Sequence, residues 1–176
     1  MNNKAVFLDR DGTIIEDEGY LKNPQDITLI KGAGAALADL KKAGFLLIVI
    51  TNQSGIGRGF FTLKTVKKQH EQLQRLLAPY KVQLDDFEIC PHAPDENCSC
   101  RKPQPEMLSR AAEKFNINLA ASFMVGDKDS DIKAGRLAGC TTILVGSRVF
   151  EKVEPHTRVK NISDAVDSIL ERSCNK

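Results

Sequence analysis

Short apolar runs recur along the chain. Ala5–Leu8, Phe45–Ile50, Asp86–Cys90, Ser122–Val125 and Thr141–Val145 each read as a short strand. Between them the spacing changes to a helical period. Ala33–Ala43 is rich in Ala, Leu and Lys and stops at Gly44. Leu63–Leu77 spaces Val66, Leu73, Leu76 and Leu77 as a helix does, and Pro105–Phe115 opens on a proline suited to a first turn. Ser130–Ala138 ends at Gly139, and Ser163–Arg172 carries Ala165, Val166, Ile169 and Leu170 on one face. This alternation predicts an α/β fold of three layers, a doubly wound parallel sheet with helices on both faces. Val149–Thr157 reads as a surface loop. No repeat, low-complexity tract or linker divides the chain, so residues 1–176 are expected to form one domain.

In doubly wound sheets, ligands bind at the carboxyl ends of the strands, near the point where strand order reverses. Polar residues gather at those ends here. Asp9 and Asp11 follow the first strand, beside the turn residue Gly12. Thr51, Asn52 and Gln53 follow the second, His92 to Lys102 the third, and Gly126, Asp127 and Asp131 the fourth. Each cluster has an ordinary explanation in isolation: a solvated turn, a helix cap, a surface cation. Delivery of all four to one sheet edge points to chemistry instead.

Phosphoryl transfer is one chemistry that these residues could perform. The Asp9 carboxylate could attack phosphorus and become an aspartyl-phosphate. Nucleophile and phosphate repel each other, so a cation must lie between them. Asp127 could complete a magnesium site with Asp9 and the backbone carbonyl of Asp11, since Mg²⁺ favours one or two carboxylates completed by phosphate oxygen and water. The Asp11 side chain is then free to protonate the leaving alkoxide and later to deprotonate the attacking water. The Thr51 hydroxyl and the Lys102 ammonium would hold the phosphoryl oxygens.

Composition changes this picture in two ways. A net charge of +2 implies no nucleic acid or anionic membrane as partner, and no apolar run approaches the ~20 residues of a membrane span. The N-terminus shows no signal-peptide pattern, so a cytoplasmic chain is expected. Three of the five cysteines crowd into Cys90-Pro91-His92…Cys98-Ser99-Cys100. Three thiolates and one imidazole form the closed tetrahedral set of structural Zn²⁺, with no position left for water. Such a zinc would pin the loop directly before Arg101 and Lys102. A Cys98–Cys100 disulfide or idle thiols are the alternatives, the first strained and disfavoured in a reducing compartment. Cys140 is expected in the core and Cys174 in a polar tail.

The four clusters together resemble the phosphatase branch of the haloacid dehalogenase superfamily, from Ala5 to about Val145. The resemblance is carried by Asp9-x-Asp11-Gly12-Thr13, Thr51-Asn52, Lys102, and Gly126-Asp127 with Asp131 four residues on. Asp11 implies the phosphatases rather than the dehalogenases. A response-regulator receiver, which also accepts phosphate on Asp, has its acidic pair in another order. Within the superfamily, Asp9-Arg10-Asp11-Gly12-Thr13, Thr51-Asn52-Gln53-Ser54-Gly55, Cys100-Arg101-Lys102-Pro103 and Met124-Val125-Gly126-Asp127-Lys128 are most similar to the D-glycero-D-manno-heptose 1,7-bisphosphate 7-phosphatase family. Histidinol-phosphatases share much of the pattern.

That resemblance implies removal of the 7-phosphate of a heptose bisphosphate, feeding nucleotide-activated heptose for lipopolysaccharide or another surface glycan. It also implies zinc in the cysteine loop. Its substrate contacts map onto Asp17, Glu18, Gly19, Tyr20, Thr51, Asn52, Gln53, Ser54, Arg101, Lys102 and Lys128. Only 18 residues, Ile14 to Lys31, separate the first motif from the first helix, so no cap domain fits and short loops must select the substrate. Gly55–Gly59 could line the site or be a plain turn. Arg10 is expected to point away from Asp9 and Asp11 and to serve packing or loop support. A monomer acting on a small sugar phosphate is expected; a zinc-stapled binding module without turnover is the non-enzymatic alternative.

Overall fold

The computed structural model describes residues 2–146 and 153–174. Six strands form one all-parallel sheet: β1 (Ala5–Leu8), β2 (Leu46–Asn52), β3 (Asp86–Cys90), β4 (Phe123–Gly126), β5 (Thr141–Val145) and β6 (Thr157–Val159). Their spatial order is β3-β2-β1-β4-β5-β6. The order reverses between β1 and β4, so a crevice opens beyond their carboxyl ends.

Helices α1 (Ala33–Lys42), α2 (Ser54–Gly57), α3 (Leu63–Leu77), α4 (Glu106–Phe115), α5 (Asp129–Ala138) and α6 (Ile162–Cys174) connect or follow the strands. Strand alternation divides the core into two layers. Val6 and Leu8 of β1 pack with Leu37 and Leu40 of α1, Leu73 of α3 and Ile169 of α6. Ala5 and Phe7 pack on the other face with Met107 and Leu108 of α4 and Ala134 of α5. Cys140 is buried in this second layer, as expected.

Three sequence expectations change. Strand β2 runs two residues further than its apolar run, because Thr51 and Asn52 still pair with Ile89 and Cys90 of β3. These two polar residues are therefore the end of the strand rather than a loop after it. Ser54–Gly57 is a helical turn, despite its glycines. Thr157 begins β6, an edge strand paired with β5, and so belongs to the sheet rather than to the expected loop. Residues 149–152 of that loop, and the Cys174 side chain, lie outside the described residues.

No cap domain interrupts β1 and α1. The chain between them folds back on itself: Ile15 bridges antiparallel to Leu29, Glu16 N–H donates to the Thr28 carbonyl, and a 3₁₀ turn occupies Pro24–Asp26. Among the described residues, no helix is long and apolar enough to cross a membrane.

Candidate active site

Asp9 continues the face of β1 that carries Ala5 and Phe7, and so meets groups from the α4 and α5 side. Lys102 Nζ lies 2.6 Å from Asp9 Oδ1, 2.7 Å from Asp131 Oδ1 and 2.6 Å from the Ile50 carbonyl. All three ionisable groups are buried. The three acceptors match the three protons of an ammonium group. Burial works to lower the Lys102 pKa, but the Asp131 and Asp9 carboxylates outweigh it and raise it, so this lysine stays charged. Asp131 also caps its own helix: its second carboxylate oxygen accepts the Lys128 N–H at 3.0 Å. The sequence motif contained Asp131 without a role; the structure makes it the second anchor of Lys102.

Asp9, Asp127 and Asp131 bring one carboxylate oxygen each to within 4.8 Å of one another. Burial raises the Asp9 pKa and nearby Asp131 raises it further, with Lys102 pulling the other way. Three carboxylates against one buried ammonium leave the cluster net negative, which a hard divalent cation offsets. Two glycines let the Asp127 and Asp131 side chains pack close against the backbone. A Cβ on Gly12, at φ +88°, would lie 2.6 Å from Asp127 Oδ2, and a Cβ on Gly126 would lie 2.4 Å from the Asp131 side chain. The donor set fits Mg²⁺, which Asp9 and Asp127 could hold while Asp131 stays on Lys102.

The Asp11 carboxylate stands apart from this cluster. Its Oδ1 accepts Arg10 Nη2 at 2.9 Å; its Oδ2 accepts Arg10 Nε at 3.0 Å and Gln53 Nε2 at 3.0 Å. The expectation that Arg10 points away from Asp11 is therefore wrong. Alternation sends the arginine toward α3, where Nη1 donates to Gln69 Oε1 at 2.8 Å, but its long side chain lets the guanidinium turn back onto Asp11. Gln53 Nε2 also donates to Thr51 Oγ1 at 2.8 Å, which leaves the threonine proton to donate elsewhere. Asn52 grips the backbone of Lys102 from both sides, accepting its N–H at 3.0 Å and donating to its carbonyl at 3.1 Å. Thus the Asn52 and Gln53 side chains hold Lys102, Asp11 and Thr51, a role beyond the substrate contact expected of them.

The loop after β1 overhangs the site. Asp17 accepts the Gly19 N–H at 3.1 Å and Lys128 Nζ at 3.0 Å, tying the loop to the start of α5. Burial works to lower the Lys128 pKa, but Asp9, Asp127 and Asp17 raise it. Tyr20 packs edge-on against Phe60, with ring centroids 4.7 Å apart, and both rings are exposed. Glu18 is exposed and Ser54 opens α2. A cavity of ≈ 390 Å³ beside the carboxylates is lined by Gly12, Asp17, Asp127, Lys160 and Asn161 among others. A second, of ≈ 280 Å³, lies by Arg101, Lys102 and Asn97. Lys160 and Asn161 had no sequence signal, because they follow a strand of only three residues.

Behind Arg101, the cysteine loop closes on itself. Cys90 Sγ lies 3.5 Å from Cys98 Sγ, which lies 3.7 Å from Cys100 Sγ; His92 Nδ1 is 3.7 Å from Cys90 Sγ and 3.3 Å from Cys100 Sγ. Tetrahedral bonding to zinc separates thiolates by ~3.8 Å and thiolate from imidazole nitrogen by ~3.5 Å, from the usual Zn–S and Zn–N lengths. The observed spacings match, and these cysteines are free thiols, so the disulfide alternative fails. Burial pushes the Cys90 thiol up to about 12, a cost that a bound cation removes by displacing the proton. The set could hold Zn²⁺. Arg101 Nη1 donates to the His92 carbonyl at 3.3 Å, which ties the arginine to the loop.

Comparison with known proteins identifies the family. The HAD-hydrolase-like family model matches residues 99–171. A D-glycero-beta-D-manno-heptose-1,7-bisphosphate 7-phosphatase of Helicobacter pylori (strain J99) is 44% identical over 170 residues, covering 95% of this chain and 97% of that protein. The protein of the same name in Pseudomonas putida is 41% identical, covering 88% and 91%. The crystal structure of a D,D-heptose 1,7-bisphosphate phosphatase from B. bronchiseptica, complexed with magnesium and phosphate, superposes with a TM-score of 0.87 at 31% identity, covering 96% of this chain and 99% of that one. This chain belongs to the haloacid dehalogenase-like phosphoric monoester hydrolases, in the family of the heptose-1,7-bisphosphate 7-phosphatases.

Proposed function

We propose that the protein removes the 7-phosphate of D-glycero-D-manno-heptose 1,7-bisphosphate. The choice of substrate rests on one observation, the 44% identity along 95% of the chain to a relative so named. The geometry supports the chemistry. Asp9 attacks phosphorus, which transfers from the sugar oxygen to the carboxylate as the P–O bond to the sugar breaks. Asp11, held by Arg10 and Gln53, gives the departing alkoxide its proton. It then takes a proton from the water that hydrolyses the aspartyl-phosphate. Thr51 and Lys102 hold the nonbridging phosphoryl oxygens. Asp9, Asp127 and the Asp11 carbonyl would hold Mg²⁺, whose charge would offset the repulsion between nucleophile and phosphate. Cys90, His92, Cys98 and Cys100 would hold Zn²⁺, which would pin the loop that precedes Arg101 and Lys102.

The rest of the sugar phosphate lies between the Asp17–Tyr20 loop, the Thr51–Ser54 segment, Arg101 and Lys128. The ≈ 390 Å³ cavity is within the range of small-molecule sites. The reading treats residues 1–176 as one catalytic domain, working as a monomer in the cytoplasm. Uncrosslinked thiols at Cys90, Cys98 and Cys100 suit that compartment.

Steady-state turnover by the purified protein with Mg²⁺ tests the substrate. The expected kcat/KM on the heptose bisphosphate exceeds that on histidinol phosphate by about 100-fold or more. Faster hydrolysis of histidinol phosphate would move the protein to that relative's reaction. No phosphate release from either, or from fructose bisphosphate, would leave only the zinc-stapled binding module.

A further inference from the structure

We propose that Arg10 and Gln69 are positioning residues that fix the Asp11 carboxylate and connect it to the substrate-facing loop. The inference rests on the phosphatase reading above and assigns roles that the shared motifs do not.

Arg10 is among the largest fully buried side chains of the molecule. A guanidinium in an apolar layer is costly unless fully engaged, and a hydrophobic side chain of similar volume would serve packing as well or better. Arg10 is engaged, and with a specific object. Nε and Nη2 form a two-toothed clamp on both oxygens of Asp11, which fixes the plane of the carboxylate as well as its distance. An acid and base that must face first an alkoxide and then a water benefits from that fixed plane.

The third nitrogen reaches Gln69, which is fully buried in the middle of α3. The amide works at both ends. Its Oε1 accepts Arg10 Nη1, and its Nε2 donates to the Leu21 carbonyl at 2.7 Å. Only one orientation of the amide satisfies both bonds, so Gln69 ties the guanidinium to the backbone of the loop that carries Asp17 to Tyr20. Burial and Arg10 hold the neighbouring His70 near a pKa of about 3, so it stays neutral and adds no competing cation. A polar network runs from the substrate loop, through Leu21, Gln69 and Arg10, to Asp11. Gln53 braces the same carboxylate from the other side.

A double-mutant cycle against Asp11 tests this, with phosphate release from the heptose bisphosphate as the assay and circular dichroism to check folding. Arg10→Lys keeps the charge and loses the clamp. It should lower kcat about 10–100-fold with KM within about twofold. In an Asp11→Asn background the same change should cost less than about twofold, because its effect runs through Asp11. Gln69→Met, which keeps the volume and loses both hydrogen bonds, should lower kcat and also raise KM severalfold, since it frees the loop. Gln69→Met can replace Arg10→Lys in the cycle if the latter fails to fold. Equal factors in both backgrounds, beside normal wild-type turnover, would overturn the positioning role and leave the phosphatase reading intact. A wild type that turns over no substrate would remove the phosphatase reading itself.

Discussion

Asp9→Asn is expected to reduce phosphate release by about 10⁴-fold or more while the protein stays folded. An amide matches the carboxylate in shape, yet it cannot form an acyl phosphate, and it brings no negative charge to a magnesium ion. The fold has little to lose. Lys102 keeps Asp131 at 2.7 Å and the Ile50 carbonyl at 2.6 Å, and the asparagine oxygen can still accept its third proton. Replacing a buried anion whose pKa is raised by burial and by Asp131 also removes an electrostatic cost. The net change in stability should stay within about 2 kcal/mol. Kinetics with a thermal melt check both halves. Activity within tenfold of the wild type would mean that another group attacks phosphorus.

Cys98→Ser acts in the opposite direction, on stability first. A serine hydroxyl is a poor zinc ligand, and its removal leaves three donors around a position that needs four. Bound zinc, measured on the purified protein, should fall from one equivalent toward none. Cys90 lies in the second core layer, and Cys98 and Cys100 pack against it. Strands and helices outside the loop supply most of both layers, so the protein is not expected to unfold outright as a zinc finger would. The expected cost is about 2–4 kcal/mol, or roughly 5–15 °C in melting temperature for a domain of this size. Turnover should fall as a consequence, because Arg101 and Lys102 directly follow the loop and Arg101 bonds to the His92 carbonyl. Zinc lost with an unchanged melt would make the loop dispensable to the fold.

The sequence carried the plan of the site because the plan follows strand order. Apolar runs mark the strands, and polar residues just beyond them must lie at one sheet edge. Asp9, Thr51, Lys102 and Asp127 were legible on that ground, and the cysteine loop on ligand spacing. What sequence could not supply was the direction taken by long side chains. Arg10 alternates away from Asp9, as strand geometry requires, but its guanidinium reaches back to Asp11. Asn52 and Gln53 read from sequence only as substrate contacts, and the motif does not show that their amides also brace Lys102, Asp11 and Thr51. Gln69 is illegible for a related reason: a polar residue in the middle of an amphipathic helix ordinarily faces water, and only the packed structure shows it fully buried. Strand β6 was missed because Thr157-Arg158-Val159 has no apolar run and sits at the sheet edge, held by one ladder alone.

The central claim is that phosphorus passes through the carboxylate of Asp9. Acid-quenching the protein with Mg²⁺ and the heptose bisphosphate in mid-turnover, then mapping the acid-stable acyl phosphate by peptide mass spectrometry, tests it directly. The expected result is one phosphoryl group on Asp9, absent from Asp9→Asn. A protein that releases phosphate while carrying no label on Asp9, or carrying it elsewhere, would contradict the mechanism.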